Sequence, residues 1–411
     1  MQLTGEDVFM INPPGKSGKP ALEGGVPVRA DFLPFHRPII GEEEIREVAD
    51  TLRSGWITTG PRTKRFEKAF SQAVGMDWAL GLNSCTAGIH LALIVSGIGP
   101  GDEVLLPAVS FPSTANAVVQ LGATPVFVDV ERDTLNLDAA RIRDHLTEKT
   151  KAMIVVHFAG NPCEMDEIIK VANENKLVVI EDCAHALEAC YKGKRVGTFG
   201  DYASFSFYAT KNMTTGEGGM LVTRRGDKKE RLQILSLHGI SHDAWKRFTP
   251  DGYQHWETVY PGFKYNMYDI QAAIGVHQLK RVDEWLWIRK AWTERYDSSF
   301  ADFELLTPLR RRDCAKAAFH LYVILLEQDR LVVDRDRILN ALQAENIGVG
   351  VHFRSLHLHP FYRDYFTHGD LSISEESSSR ILSLPLYPGM KEQDVEDVIT
   401  AVKKVLNYYQ K

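Results

Sequence analysis

The sequence has few cysteines and no run of them that builds anything. Its five, Cys85, Cys163, Cys183, Cys190 and Cys314, show no metal-ligand spacing. An odd count without a framework excludes a disulfide scaffold and fits a reducing compartment. No stretch approaches the roughly 20 apolar residues of a membrane-spanning helix. Residues 1–10 carry acids, with no basic flank and no long apolar core, so no signal peptide is expected. These absences lead us to expect a cytoplasmic protein. Basic charge is not in excess either. A net charge of -6 leaves no electrostatic footprint for nucleic acid or an anionic membrane. The triplet Arg310-Arg311-Arg312 is too short to change that and reads as a solvated loop. Internal repeats and coiled-coil heptads are missing too. At 44% hydrophobic and 25% charged, the chain has enough apolar material for sizeable cores.

What is present is an alternation of short apolar runs and helical patterns. Residues 11–30 are rich in Gly, Pro and Lys, which predicts an arm that builds no core. We divide the chain into a flexible arm over 1–31, a large α/β domain over 32–290 and a small α+β domain over 291–411. Strands are predicted at Trp78–Asn83, Glu103–Leu106, Pro125–Val130, Ala152–His157, Leu177–Glu181, Tyr202–Phe207 and Met220–Thr223. Most are continuous Val/Ile/Leu runs, the mark of strands buried on both faces. Helices are predicted over 42–53 and 165–174, the second with Met165, Ile168, Ile169 and Ala172 on one face. A long helical stretch follows over 270–300. Beyond it the sequence predicts strands at Phe319–Leu326 and Ile347–Phe353, and helices over 334–345 and 392–409.

The chemistry gathers where predicted strands end. Gly81-Leu82-Asn83-Ser84-Cys85-Thr86-Ala87-Gly88 runs from a strand through small residues into an apolar helix. Exposed N–H groups and the helix dipole there favour a phosphate. Alone, the pattern better suits an ordinary cap at Ser84 or Thr86; beside Asp182 and Lys211 the balance reverses. Asp182 closes an apolar strand, where a carboxylate can meet the ring N–H of a pyridinium; the plain alternative is a helix cap. Lys211 follows the strand that carries Ser206. A lysine and an aspartate at two strand ends can grip the two ends of pyridoxal phosphate, the amine taking the aldehyde as a Schiff base. Phe111 follows another strand end, where an aromatic stacks on a flat ring or packs in the core.

Together these segments resemble the DegT/DnrJ/EryC1/StrS family of pyridoxal-phosphate-dependent sugar aminotransferases. The likeness rests on Ser54-Gly55-Trp56-Ile57-Thr58-Thr59-Gly60-Pro61, Ser84-Cys85-Thr86-Ala87, Glu181-Asp182-Cys183-Ala184-His185, Phe205-Ser206-Phe207 with Lys211-Asn212, Gly216-Glu217-Gly218-Gly219 and Gly262-Phe263-Lys264-Tyr265-Asn266. It implies a fold-type I transferase, with a mostly parallel seven-stranded sheet, helices on both faces and a smaller C-terminal α+β domain. It also implies a homodimer with shared sites. By matching position, Lys211 is the Schiff-base lysine and Asp182 the partner of the pyridine nitrogen. Thr86, Ala87 and Ser206 bind phosphate, Phe111 stacks on the ring, and His185 takes a ring contact where many members have glutamine. Asn266 reaches the neighbouring subunit's cofactor from a place where many members have arginine. Cys85 stands where glycine is common. The loop at Trp56 and the stretch Val351-His352-Phe353-Arg354 look closest to the enzymes that install the 4-amino group of UDP-4-amino-4-deoxy-L-arabinose.

The expected reaction moves an amino group from glutamate to the keto carbon of a nucleotide-linked deoxy sugar, with C4 favoured. Candidate substrate contacts are Trp56 and Thr58 from the early loop, His352, and Arg354 for the donor's carboxylate. No metal is expected. Three other readings stand beside this one. Dehydratases of the family replace the lysine with histidine, which Lys211 opposes. A regulatory homologue has little reason to keep Lys211, Asp182 and the phosphate loop together. An aminotransferase for a cyclic or sugar-acid ketone without a nucleotide fits the same motifs.

Overall fold

The computed structural model describes residues 18–241 and 256–411. Nine strands precede residue 230: β1 (Ala79–Leu82), β2 (Glu103–Pro107), β3 (Thr124–Val128), β4 (Thr150–Val156), β5 (Val178–Asp182), β6 (Cys190–Tyr191), β7 (Lys194–Arg195), β8 (Tyr202–Ser206) and β9 (Gly219–Thr223). Seven of them form one sheet in the order β1-β9-β8-β5-β4-β2-β3. Only β9 runs against its neighbours. This is the mostly parallel sheet read from the apolar runs.

Alternation within the strands explains why those runs are continuous. Val104, Leu106, Ile154 and Ile180 face one layer, built on the helices Cys85–Val95 and Pro112–Val119. Leu105, Met153, Val155 and Val179 face the other, where the helix Met165–Asn175 presents Met165, Ile168, Val171 and Ala172. Successive side chains point to opposite faces, and both faces are covered, so every position is apolar. Truncating any one of these leucines or isoleucines to alanine costs about 2–5 kcal/mol.

The chain then forms a second core. β10 (Leu306–Pro308), β12 (Tyr322–Leu326) and β13 (Ile381–Leu384) make an antiparallel sheet, while β11 (Ala315–Lys316) pairs with β6. The helices Arg335–Ala344 and Glu392–Tyr408 close over the three-stranded sheet, with Ile338, Val395, Val398 and Val402 inward. The N-terminal segment lies against this part. The N–H groups of Ala21 and Val28 donate to the buried carboxylate of Glu345 at 2.8 and 2.7 Å. Of the arm expected over 1–31, residues 1–17 lie outside the described residues.

Three expectations need correction. Ile347–Phe353 is not a strand: it makes single bridges, Ile347 to Leu33 and Gly350 to Ser383 at the open edge of β13, and beyond Gly350 the chain turns His352 and Phe353 to the cavity at the strand ends of the large sheet. The stretch 270–300 is two helices, Asp269–Gln278 and Val282–Phe300, split by a tight turn at Leu279–Arg281 where Arg281 reaches Glu44. Arg312 is no solvated residue: it is largely covered and pairs with Glu131 and Glu164. Among the described residues, no helix is long and apolar enough to cross a membrane.

Candidate active site

The carboxyl ends of the strands open into one cavity of about 460 Å³. That is where ligands sit in open α/β sheets. Four connections supply its walls. After β1 come Ser84, Cys85 and Thr86; after β2, Ser110, Phe111 and Ser113; at the end of β5, Asp182, Ala184 and His185; after β8, Tyr208 and Lys211. The second core adds His320, His352 and Phe353, and the N-terminal segment adds Phe35 and His36.

Asp182 forms the floor. Its Oδ1 accepts from the Ala184 N–H at 3.0 Å and from the Cys85 thiol at 3.7 Å. Its Oδ2 accepts from the Thr114 hydroxyl at 3.3 Å, and Thr114 is itself bonded to Ser110 at 2.8 Å. Burial pushes its pKa up, against the Ala184 N–H and the charge of Lys211. Such a carboxylate has lone pairs to spare for one more cationic donor. Its neighbour Glu181 is spent otherwise. Glu181 accepts from the N–H groups of Gly197, Phe199 and Gly200 and from His157 Nε2. His157 Nδ1 accepts from the Cys163 N–H. His157, Glu181 and Cys183 stand close enough to suggest a metal, but the His157 and Glu181 groups are committed to these bonds and serve as structural supports.

Lys211 stands across from that floor. A turn closed by its own N–H to the Tyr208 carbonyl at 2.9 Å carries it from the end of β8 into the cavity. The surrounding protein disfavours its charge. Burial lowers the pKa to about 8, against the pull of Asp182 and Cys85. An amine with that pKa is still mostly protonated at neutral pH, but it yields its neutral, nucleophilic form far more readily than an ordinary lysine.

The helix Cys85–Val95 begins at the cavity. Ser84 caps it, accepting from the Ala87 N–H at 3.1 Å. Among the described residues, nothing accepts from the N–H groups of Cys85 and Thr86. The helix start is pressed onto β9 so closely that a Cβ at Gly219 would lie 2.4 Å from the carbonyl carbon of Ser84. Ser206 lines the same corner. Phe111 precedes Pro112, which holds it extended (φ -74, ψ 145) and out of the helix. Its ring stays 58% exposed, 5.9 Å from that of Phe353. A flat ring with a phosphate at one end fits between these groups: free N–H donors at a helix start, an open aromatic face, a buried carboxylate and a poised amine.

The residues singled out from sequence divide in two. Thr86, Phe111, Asp182, His185, Ser206, Lys211 and His352 line this cavity, and Ala87 adjoins it in the first turn of the helix. Trp56 and Asn266 line a separate one of about 330 Å³ with Thr59 and Lys64. Asn266 Nδ2 donates to the Thr59 hydroxyl at 2.7 Å, and its Oδ1 is buried without a partner. Thr58 sits on the exposed loop beside it, accepting from the Asp269 N–H at 3.1 Å. Arg354 is brought to neither; it is exposed and donates to the Leu358 carbonyl at 3.1 Å.

Comparison with known proteins agrees with this geometry. Residues 38–403 match the DegT/DnrJ/EryC1/StrS aminotransferase family. The chain belongs to that family. It is 45% identical to the spore coat polysaccharide biosynthesis protein SpsC of Bacillus subtilis, over 92% of this chain and 98% of that one. Its fold matches the PLP-form of the putative sugar aminotransferase Spr1654 of Streptococcus pneumoniae. That match has a TM-score of 0.86 and 34% identity, over 92% of this chain and 99% of that one. It also matches PseC of Helicobacter pylori, an aminotransferase of pseudoaminic acid biosynthesis. Here the TM-score is 0.85 and the identity 28%, over 92% of this chain and 100% of that one. The chain is thus a pyridoxal-phosphate-dependent sugar aminotransferase of fold type I.

Sequence reasoning missed several groups that this aminotransferase places at the site. His36 and His320 come from segments distant in the chain, and no local pattern marks either. Thr114 had a usable signal, since it lies one turn beyond Phe111 at the start of a helix that faces the strand ends.

Proposed function

We propose that this aminotransferase carries the amino group of glutamate to the keto carbon, C4, of a nucleotide-linked deoxy sugar, at sites shared between two copies of the chain. Lys211 is the residue that binds the cofactor covalently, and Asp182 is the partner of its ring nitrogen. Thr86, Ala87 and Ser206 hold the phosphate, Phe111 covers one ring face and His185 contacts the ring. The Ala159 N–H donates to His185 Nδ1 at 3.3 Å, so the neutral imidazole carries its proton on Nε2. Asn266 serves the partner's site, which is the reading its separate cavity and its unpartnered oxygen favour. Trp56 and Thr58 would then border the partner's substrate entrance, and His352 the chain's own.

Pyridoxal phosphate, when bound, supplies an aldehyde that takes an amine and a protonated ring that accepts electron density from the reacting carbon. The protein's own part is positioning and proton transfer. Lys211 Nζ takes the proton from the donor's Cα and later delivers one to the acceptor's former keto carbon. Asp182, buried and held by three donors, keeps its charge fixed toward the ring nitrogen's place.

The lining of the cavity is the observation that carries the acceptor's identity. Lys211 is its only cation among the described residues; beside the carboxylates of Asp182 and Glu217, its walls offer mostly hydroxyls, imidazoles and aromatic rings. That surface suits a neutral, hydroxylated ring. Arg354 bonds elsewhere, so the donor carboxylate is left to backbone donors or to the partner chain.

Absorbance of the purified, cofactor-loaded protein tests this. Glutamate should convert the aldehyde form to the amine form, and a UDP-linked 4-keto deoxy sugar should restore it. Restoration by a cyclic ketone without a nucleotide, and by none of the nucleotide sugars, would refute the acceptor. A spectrum that ignores glutamate would refute the donor.

A further inference from the structure

Asn212 follows Lys211 in the chain, is buried, and has no freedom in how it presents its amide. Its Nδ2 donates to Glu188 Oε2 at 2.7 Å and to the Ala318 carbonyl at 3.1 Å. Both partners can only accept, so the nitrogen must lie on that side. Glu188 is charged, because Arg289 Nη2 meets its Oε1 at 2.5 Å; the two side chains are 0% and 2% exposed. Arg289 also donates to the Ala318 carbonyl. The amide oxygen of Asn212 is thereby fixed toward His320 Nδ1, at 2.9 Å. An amide oxygen only accepts, so His320 carries its proton on Nδ1.

The consequence lies on the other side of the ring. His320 Nε2 is left as a bare lone pair. It makes no hydrogen bond within the described protein and is not sealed from solvent, and the residue lines the Lys211 cavity. Burial, then His185 and Lys211, hold the imidazole well below its ordinary pKa, so it stays neutral. Its neighbour His185 has the opposite tautomer and is a donor; the two rings are 4.4 Å apart.

We infer that His320 Nε2 accepts a hydrogen bond from a hydroxyl of the sugar acceptor, with the buried Arg289–Glu188–Asn212 chain as the device that fixes its tautomer. The inference rests on the sugar-transfer reading above. An unprotonated nitrogen repels a carboxylate and can pair only with a group that carries a proton. A sugar hydroxyl meets that requirement, and the rest of the cavity wall is suited to the same kind of neutral polar ligand. His320 is on this reading a substrate-binding residue, while Asn212, Glu188 and Arg289 act through it.

The test is a pair of substitutions in the full-length, cofactor-loaded enzyme. In His320→Asn, the shorter amide can still donate to Asn212 but no longer reaches the cavity. In His320→Gln, an amide oxygen can stand near the lost Nε2 while the bond to Asn212 is given up. With a UDP-linked 4-keto deoxy sugar that the wild type accepts, KM for the sugar should rise roughly tenfold to a hundredfold in His320→Asn and be partly rescued in His320→Gln. The glutamate half-reaction, read by absorbance, should lose far less. Removing the hydroxyls of the sugar one at a time should find one whose loss costs the wild type the same factor and costs His320→Asn almost nothing. That substrate series also decides the matter if a variant fails to fold, because the wild type must then show one hydroxyl worth roughly that factor. Equal losses in both half-reactions, better retention in His320→Asn than in His320→Gln, or no such hydroxyl would overturn the inference. A wild type that transfers to no keto sugar would overturn the sugar reading and this inference with it. A wild type that transfers while His320→Asn keeps its KM would overturn this inference alone.

Discussion

Replacing Lys211 by methionine in the cofactor-free protein should make the fold more stable, although it ends catalysis. The amine has a pKa of about 8 in the folded chain, chiefly through burial, against 10.5 in an unperturbed lysine. Folding therefore disfavours the charged form. At about 1.4 kcal/mol for each pKa unit, the penalty is at most about 3 kcal/mol, and the opening of the cavity to water reduces it. The pH dependence follows from proton counting. Below about pH 8 both states hold the proton and the penalty is present in full. Between about 8 and 10.5 the unfolded chain still binds a proton that the folded chain has lost, so the stability of the wild type rises with pH. Methionine has no proton to lose. The advantage of Lys211→Met should be largest near about pH 7 and shrink as pH rises through that window.

Urea unfolding of both stripped proteins across that range measures the difference. Two cores need not melt together, so the transition of the large sheet is the one to compare. Adding pyridoxal phosphate should reverse the order, because the wild type binds it more tightly and gains stability by mass action. A stripped Lys211→Met that is less stable than the wild type near about pH 7, or an advantage that does not shrink with pH, would refute the reasoning.

Asp182→Asn should retain the fold and lower kcat by roughly two orders of magnitude or more, since a neutral amide cannot hold the ring proton; unchanged turnover in a loaded variant contradicts the role. Arg289→Met leaves the Glu188 carboxylate buried without its cation and should cost about 3–5 kcal/mol, read as a fall in the thermal midpoint. Adding Glu188→Gln to that variant should recover part of the loss. Lys211→Ala and Asn266→Ala chains, each impaired alone, should regain about a quarter of wild-type activity when mixed in equal amounts and reassembled. Only one of the two sites in each mixed pair then carries both native residues, and no recovery would place Asn266 at its own chain's site.

The central sheet was legible because its strands are buried on both faces, and that leaves a mark no surface segment makes. Leu105 and Leu106 point to different layers, yet both must be apolar. Ile347–Phe353 carries a similar run without being a strand. Its apolar side chains are recruited from several directions, Ile347 by the second core and Phe353 by the cavity. A local pattern records that a residue is buried, not which neighbour buries it. For the same reason Lys211 and Asp182 were legible while His36 and His320 were not. The first two follow from strand ends, which are local features. The last two depend on how the second core and the N-terminal segment close over the sheet. Arg312 is the same lesson for charge, since only the tertiary contact with Glu131 and Glu164 separates it from an exposed Arg310.

Glu181 and Asp182 show how finely the site depends on strand geometry. They are adjacent, acidic and buried, with exposures of 0% and 5%, and composition cannot tell them apart. Alternation sends them to opposite faces of β5. Glu181 meets the loop at Gly197–Gly200 and His157, where every oxygen is claimed by a donor. These bonds outweigh burial and hold its pKa low. Asp182 emerges at the strand end, where burial raises its pKa and the donors around it leave room for one more. A one-residue slip of β5 would turn each side chain to the other face, putting Glu181 where Asp182 stands and Ile180 where Glu181 stands. The support at Glu181 therefore does more than fill the interior. By fixing the register and the loop behind the strand, it fixes which carboxylate reaches the cavity.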